Sequence, residues 1–126
     1  YGYNIFVGDD FYSNHNLVIL DCAPITFGDH VFIAPNCCFS AAGHPLDVEQ
    51  RNAGLEMALP ITVGSNIWIG AGVTVLPGVT IGDNTVIGAG SVVTRDIPSG
   101  VVAVGSPCRV MREITEEDKY KYKLAP

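Results

Sequence analysis

Three histidines, His15, His30 and His44, are the residues of this chain best suited to proton transfer. An imidazole has an ordinary pKa of about 6.5, so near neutral pH it can take a proton from a hydroxyl group and later return it. Three histidines can also hold a catalytic zinc ion where they converge in space. Their steps of 15 and 14 residues do not by themselves bring them together. General base catalysis is therefore the first chemistry to consider, and a zinc site is the alternative.

The cysteines do not indicate a metal site or a disulfide framework. Cys22, Cys37, Cys38 and Cys108 form no CxxC pair and show no zinc-finger spacing. Scattered thiols of this kind fit a reducing compartment, and we expect a cytoplasmic protein.

Charge and hydropathy exclude two classes of partner. The formal net charge of −6, from 13 acidic and 7 basic residues, would repel a phosphate backbone, so no nucleic acid partner is expected. Charged, Asn, Gly or Pro residues interrupt every apolar run before the roughly 18 to 20 residues that span a bilayer. We therefore expect no membrane association.

The elements that must position the histidines follow a six-residue period. From Val63 the sequence reads VGSNIW, IGAGVT, VLPGVT, IGDNTV, IGAGSV and VTRDIP. The same frame begins upstream at Phe27, since 63 − 27 is 36, or six blocks. An earlier run from Val7 is offset by two residues, which a bulge or turn near Pro24 and Ile25 would absorb. A period of six fits neither the 3.6 of a helix nor the alternation of an exposed strand, so it predicts a solenoid.

Each block has a predicted inward side. The first residue, Val or Ile, points inward and stacks on the coils above and below, and three blocks complete one triangular coil. A glycine follows where the chain bends sharply, because a Cβ would crowd there or φ would be positive; these are Gly64, Gly70, Gly82 and Gly88. The fifth positions are small or β-branched and predict a second inward slot, occupied by Val73, Val79, Thr85 and Ser91.

Two segments depart from the period. The repeat breaks over residues 45–61, where a loop is expected to project and to reach a neighbouring site. After Pro107 the segment ITEEDKYKYK predicts a polar helix over about 115–124, with Thr115 as N-cap, that caps the last coil.

The blocks resemble those of the hexapeptide-repeat acyltransferases, and the chain as a whole resembles their maltose and galactoside O-acetyltransferase branch. The resemblance is carried by the segments FYSNHN, IAPN, AAGHPLD, ITVGSNIWIGAGVTVLPGVTIGDN and GSPCRVMREI. It implies an all-β fold, a left-handed parallel β-helix with a short C-terminal helix, in one domain over residues 1–126. Members of the branch also carry a helical N-terminal segment that contributes to the acceptor pocket. We expect that segment to be absent from this sequence.

The resemblance implies an O-acetyltransferase that moves an acetyl group directly to a hydroxyl of a galactoside, glucoside or maltose. It places the general base at His44, with Asn14 holding the acceptor hydroxyl through one donor and one acceptor. Asp21 is implied to bind another sugar hydroxyl, although Cys22 stands where some relatives carry a second acidic residue. Trp68 is expected outward, at a subunit seam or near the acceptor.

The resemblance also implies acetyl-CoA as co-substrate and no required metal. In relatives, coenzyme A lies outside the helix between two subunits; its implied neighbours here are Ala71, Ala89, Thr94, Arg95 and Arg112. The two arginines suit phosphates, and the backbone amide near Ala71 would stabilise the oxyanion. The implied assembly is a homotrimer whose sites are shared between subunits.

Three alternatives stay open. In the first, the acceptor is another hydroxyl compound, such as an antibiotic, since the antibiotic acetyltransferases of the superfamily also use a histidine base and acetyl-CoA. In the second, the chain is a non-catalytic β-solenoid scaffold that binds no acetyl-CoA. In the third, it is a zinc-dependent carbonic anhydrase, an enzyme that occurs on this fold and needs three histidines from adjacent coils and subunits.

Overall fold

The computed structural model describes residues 1–122 and shows short strands wound into a parallel β-helix. Within these described residues, one α-helix, α1 (Val48–Asn52), and one 3-10 helix (Glu116–Tyr120) accompany the strands. The strands are β1 (Ile5–Phe6), β2 (Phe11–Ser13), β3 (Val18–Leu20), β4 (Ile25–Phe27), β5 (Val31–Ile33), β6 (Cys38–Ser40), β7 (Ala42–Gly43), β8 (Met57–Ala58), β9 (Ile61–Val63), β10 (Ile67–Ile69), β11 (Thr74–Val75), β12 (Thr80–Ile81), β13 (Thr85–Ile87), β14 (Val92–Val93), β15 (Val101–Gly105) and β16 (Cys108–Glu113).

The chain visits three sheets in turn, which we call A, B and C. Sheet A has the order β1-β4-β9-β12, sheet B the order β16-β15-β13-β10-β5-β2, and sheet C the order β14-β11-β6-β3. The strands within these sheets pair in parallel, except that β16 returns antiparallel to β15. We name the three turns between sheets the A–B, B–C and C–A corners.

Two corners keep a constant length and the third does not. The step from sheet A to sheet B is five residues in three successive coils: Thr26 to Val31, Thr62 to Ile67 and Thr80 to Thr85. The step from sheet B to sheet C is seven residues in the same coils: Val31 to Cys38, Ile67 to Thr74 and Thr85 to Val92.

The step from sheet C to the next strand of sheet A varies: it is 8 residues from Val18 to Thr26, 24 from Cys38 to Thr62 and 6 from Thr74 to Thr80. The two extra residues predicted near Pro24 therefore lie at the C–A corner of the first coil, and the insertion leaves from the same corner one coil later.

The predicted inward positions are confirmed. The first residues of the blocks, Val63, Ile69, Val75, Ile81, Ile87 and Val93, are at most 1% exposed. The fifth positions, Val73, Val79, Thr85 and Ser91, are buried as well. In the first coils Phe27 packs edge-on against Phe11 and Phe39, with ring centroids 5.2 and 5.1 Å apart. Each buried aliphatic side chain contributes about 1.5–3 kcal/mol, so the stack is held by its own interior.

The predicted crowding at the bend glycines is also confirmed. None of Gly64, Gly70, Gly82 and Gly88 has a positive φ; each instead lies against the next coil. An added Cβ at Gly70, for example, would lie 2.6 Å from the backbone nitrogen of Ala89. Glycine is needed at these bends because the next coil leaves no room for a Cβ.

Both segments outside the repeat contain more structure than predicted. The insertion contains α1 and β8 and ends before Ile61, which already belongs to β9. Asp47 caps α1 by accepting the backbone N–H of Gln50 at 2.9 Å. After the last coil, β16 doubles back along β15 and covers the edge of sheet B. The C-terminal helix is, in the described residues, the 3-10 helix after Thr115, and the predicted residues 123–124 lie outside them. Neither described helix has the length and apolar character that a bilayer crossing requires.

We expect Gly28→Ala to lower the free energy of unfolding by about 1–3 kcal/mol, because overpacking between fixed backbones forces the coils apart. The new Cβ would lie 2.8 Å from the carbonyl carbon of Gly64 in the next coil. Urea unfolding at one fixed protein concentration measures the loss. Gly43→Ala is the control, since its Cβ would meet only Met57, at 3.5 Å. Equal stability of the two variants would contradict this account.

An ion pair joins the first coil to the second at the A–B corner. His30 Nδ1 lies 2.7 Å from an Asp10 carboxylate oxygen, and this hydrogen bond raises the pKa of His30 above its ordinary value. A raised histidine pKa means that the pair is complete below the ordinary pKa of about 6.5 and is lost as the pH rises through the raised pKa.

We therefore predict that Asp10→Asn lowers the titration midpoint of His30, because the acceptor of its charged form is lost. Two-dimensional NMR of the imidazole Cε1–H resonances over a pH series, in wild type and variant, measures the midpoint. The same midpoint in both proteins would show that Asp10 does not hold the charged imidazole.

Candidate active site

His44 lies at the C–A corner of the second coil, directly after β7, where the insertion leaves the stack. β7 pairs antiparallel with β8, and the Leu59 N–H donates to the carbonyl of Ala41 at 2.9 Å, so the base of the insertion is closed. The imidazole is exposed, and its Nδ1 lies 3.4 Å from the carbonyl oxygen of Leu55. Because a carbonyl oxygen can only accept, Nδ1 is the donor in this weak contact, and in the neutral imidazole Nε2 is then the nitrogen with the free lone pair that a general base needs.

Leu55 was not predicted from the sequence. It contributes a backbone carbonyl, which any residue could supply, and therefore leaves no signal in the residue types. Its own side chain is exposed, as are several other apolar side chains of the insertion: Leu46, Val48, Met57 and Leu59. Leu46 is 94% exposed. The described part of the chain does not cover this apolar surface.

Asn14 lies at the B–C corner of the first coil. Its backbone N–H donates to Ile33 at 2.8 Å, and its side-chain oxygen accepts the backbone N–H of His15 at 2.7 Å. The second contact fixes the orientation of the amide, because a flipped side chain would oppose two donors. The side-chain NH2 of Asn14 is therefore turned away from its own turn, and the amide oxygen keeps one lone pair beyond the one that accepts the His15 N–H.

Ala71 and Ala89 lie one above the other at the B–C corner of the third and fourth coils. Both are exposed, and the N–H of Gly90 donates to the carbonyl of Ala71 at 2.8 Å, which joins the two turns. Among the described residues, the backbone N–H groups of Ala71 and Ala89 have no acceptor. This corner thus offers two neighbouring donors to a ligand.

The remaining implied neighbours of coenzyme A lie elsewhere. Thr94 and Arg95 are exposed at the C–A corner of the fourth coil. Arg112 lies on β16 at the end of sheet B, where its guanidinium binds Asp118 through two hydrogen bonds of 2.7 and 3.0 Å. This bidentate pair lowers the pKa of Asp118 and occupies the side of Arg112 that would bind a phosphate.

The predicted residues therefore form two groups in one chain. Asn14, Ala71 and Ala89 follow the B–C corner, whereas His44 and Arg95 stand at the C–A corner. The strands of sheet C, each of two or three residues, lie between the corners, at about 3.3 Å per residue, or roughly 7–10 Å. One chain alone does not bring the base, the amide and the free N–H groups to one point.

Asp21 is buried and bound within its own coil. Its carboxylate accepts hydrogen bonds from the backbone nitrogens of Gly2 and Asn4 at 2.8 and 3.0 Å, both through Oδ2. Asp21 thus holds the preceding turn, and binding of a sugar hydroxyl would have to use its other oxygen or displace these contacts.

Trp68 is exposed on the outer face of sheet B, between Phe32 and Val86 of the neighbouring strands. It lines an open groove of about 350 Å³ whose rim includes His30 and Asn84. This groove lies toward the A–B corner and contains neither His44 nor Asn14.

The three histidines occupy three different corners: His15 the B–C corner, His30 the A–B corner and His44 the C–A corner. Within residues 1–122 no group of three His, Cys, Asp or Glu side chains is arranged to hold a metal ion. A zinc site would therefore have to be assembled from several chains.

Known proteins share this sequence and this coil. Residues 60–95 match the family described as bacterial transferase hexapeptide (six repeats). Galactoside O-acetyltransferase of Escherichia coli (strain K12) is 57% identical over 122 residues, which are 97% of this chain and 60% of that protein. The chain thus spans about 60% of the length of such relatives.

Two solved structures have the same fold. A maltose O-acetyltransferase from Clostridium difficile 630 is 54% identical with a TM-score of 0.90, over 92% of this chain and 62% of that one. A galactoside acetyltransferase in complex with coenzyme A is 56% identical with a TM-score of 0.94, over 98% and 62%. The coil is accordingly the left-handed parallel β-helix that the resemblance implied. By its repeats, its fold and these relatives, the chain belongs to the hexapeptide-repeat acetyltransferase family, in the branch of the galactoside and maltose O-acetyltransferases.

Proposed function

We propose that this protein transfers an acetyl group from acetyl-CoA to a hydroxyl of a sugar of the galactoside, glucoside or maltose type. The observation that carries the proposal is that two neighbouring corners of the chain present the two groups the reaction needs: His44 with its Nε2 exposed, and the free backbone N–H donors of Ala71 and Ala89. Relatives named for galactoside and maltose O-acetylation, one of them bound to coenzyme A, support the donor and the acceptor class.

These groups supply each step of a direct transfer. His44 Nε2 accepts the hydroxyl proton while the acceptor oxygen attacks the thioester carbonyl carbon. The carbonyl oxygen becomes negative and is stabilised by the N–H of Ala71. When the carbon–sulfur bond breaks, the proton on His44 passes to the leaving thiolate, so the histidine returns to its starting form. No covalent intermediate on the protein is needed.

The proposed site lies between two copies of the chain. A B–C corner of one copy, facing a C–A corner of the next, would place Asn14, Ala71 and Ala89 opposite His44. The same contact would cover the exposed apolar side chains of the insertion, such as Leu46. Closed rings of identical contacts are the common form of such assemblies, and we propose a homotrimer with three shared sites.

The donor would lie in the slot between these corners. The N–H groups of Ala71 and Ala89 would bind its acetyl-pantetheine arm, while Thr94 and Arg95 on the facing corner would meet its polar end. Arg95 suits a phosphate, because a guanidinium can donate two parallel hydrogen bonds. Arg112 would join only after release from Asp118. The NH2 of Asn14 would donate to the acceptor hydroxyl oxygen and leave that hydroxyl's proton free for His44.

We expect His44→Ala to lower kcat by about 10²–10⁴-fold, the usual contribution of a general base. Thiol release from acetyl-CoA in the presence of galactosides, glucosides, maltose or chloramphenicol measures the rate and also identifies the acceptor. His30→Asn is the control, since asparagine tolerates the positive φ of 53° at that position. A His44→Ala protein as active as wild type would contradict the proposed base. A folded wild type without release for any acceptor would favour a scaffold.

A mixing experiment tests the shared site. His44→Ala and Asn14→Ala chains are each expected to be inactive in pure assemblies, because every site then lacks one group. In random mixed trimers made from equal amounts, about a quarter of the sites would receive His44 from one chain and Asn14 from the next. Activity recovered after joint refolding, and absent when the folded pure assemblies are mixed without exchange, is the expected result. No recovery in mixed trimers verified by mass spectrometry would place both residues in one chain.

A further inference from the structure

A buried thiol contacts the peptide group that carries the proposed oxyanion donor. Cys37 is 1% exposed and lies at the inner side of the B–C corner in the second coil. Its Sγ–H donates to the carbonyl oxygen of Gly70 in the next coil, at 3.2 Å. That carbonyl and the N–H of Ala71 belong to the same peptide group.

The contact fixes the direction of the Ala71 N–H. The Gly70–Ala71 bond is trans, and in a trans peptide the C=O and N–H point in opposite directions. With the carbonyl turned inward to Cys37, the N–H is turned outward. On the other side of Ala71, the N–H of Gly72 donates to the carbonyl of Pro35 at 3.0 Å. The second coil thus holds both peptide groups that flank Ala71.

The thiol is suited to this task and not to nucleophilic chemistry. Burial raises the pKa of Cys37, so the sulfur keeps its proton near neutral pH and acts as a donor. A hydrogen bond to a carbonyl also polarises its peptide group and strengthens the N–H at the other end. Without Cys37, the Gly70 carbonyl would lose the buried partner on its inner side.

The next coil repeats the arrangement with another side chain. The Ser91 hydroxyl is fully buried and donates to the carbonyl of Gly88 at 2.6 Å, which turns the Ala89 N–H outward in the same way. Ser91 occupies the inward corner position that Val73 occupies in the third coil, and valine has no donor. The third coil therefore takes its donor from Cys37 in the coil before it.

At this position of the B–C corner, a free N–H occurs only where a buried side chain donates to the carbonyl of the same peptide group. At the equivalent turn position the first coil has His15, whose N–H is bound by the Asn14 side chain, and the second has Pro35, which has none. At this turn position of the four described coils, only Ala71 and Ala89 keep an N–H without an acceptor. Each of these N–H groups belongs to a peptide group whose carbonyl accepts a hydrogen bond from a buried side chain.

We infer that Cys37 is a positioning residue of the acetyl transfer, which aims the Ala71 N–H at the developing oxyanion. The inference rests on the proposed function, because the oxyanion belongs to that reaction. The thiol itself contacts no substrate. It acts only through the Gly70–Ala71 peptide group.

The test compares Cys37→Ser, Cys37→Val and Cys37→Ala in the whole protein. Serine keeps a donor but is smaller, whereas valine fills the space without a donor, as Val73 does at the equivalent position of the next coil. We expect kcat to fall by about 10- to 100-fold in the valine and alanine variants, because a misdirected oxyanion donor is largely lost. Serine should keep kcat within about threefold of wild type, and KM for acetyl-CoA should change little in all three. The amide resonance of Ala71 should shift in the valine and alanine variants and stay near its wild-type position in serine.

Packing and hydrogen bonding predict opposite orders for these variants. If Cys37 only fills space, valine will resemble wild type and serine will be impaired, which would overturn the inference. It would also be overturned by wild-type kcat in the alanine variant. Thermal unfolding identifies a variant that does not fold. If the alanine variant does not fold, the valine variant alone measures the effect of removing the donor. A wild type without thiol release for any acceptor refutes the proposed function and the oxyanion role together, and the Ala71 resonance alone then decides whether Cys37 orients the peptide.

Discussion

Neighbouring coils of this protein are separated by the distance between paired parallel strands, about 4.8 Å, along the whole stack. At that distance a bend has room for a hydrogen atom on Cα but not for a Cβ, which is why glycine follows the inward aliphatic residue. The interior must be filled from three sides at once, and one aliphatic side chain per block does so. The six-residue period of the sequence is a consequence of this spacing between coils.

The same spacing explains how a surface without a deep cavity can offer directed donors. Along the sheets, each backbone N–H pairs with the adjacent coil, so the flat faces present side chains only. At a corner the peptide planes rotate, and one N–H per turn can face solvent, provided that its own carbonyl finds a partner inside. Buried polar side chains at corners therefore serve the outer surface as well as the core. In an acidic chain with a net charge of −6, such backbone donors provide positive potential without additional basic residues.

Sequence reasoning was strongest where the stack repeats. The inward positions, the crowded glycines and the two extra residues near Pro24 follow from spacing alone, because each coil copies the geometry of its neighbours. It was weakest where a partner is a backbone atom or lies across a turn. Asp21 is bound by the backbone nitrogens of Gly2 and Asn4, Arg112 by Asp118 six positions on, and His44 by the carbonyl of Leu55. None of these partners has a periodic position. The choice of His44 over His15 and His30 came from the family resemblance, since residue type alone does not distinguish the three.

The unequal corners divide the molecule into a part that tolerates length changes and a part that does not. A residue gained at the A–B or B–C corner would turn the following strand over and place its aliphatic side chains in water. At the C–A corner, segments of 6, 8 and 24 residues all return the chain to the same register in sheet A. New sequence can therefore accumulate on one edge of the prism while the edge with the free backbone donors keeps its dimensions. The C–A corner of such a β-helix can thus change separately from the other two. Replacing the segment at the C–A corner would change the ligand or partner bound there while the coils keep their structure.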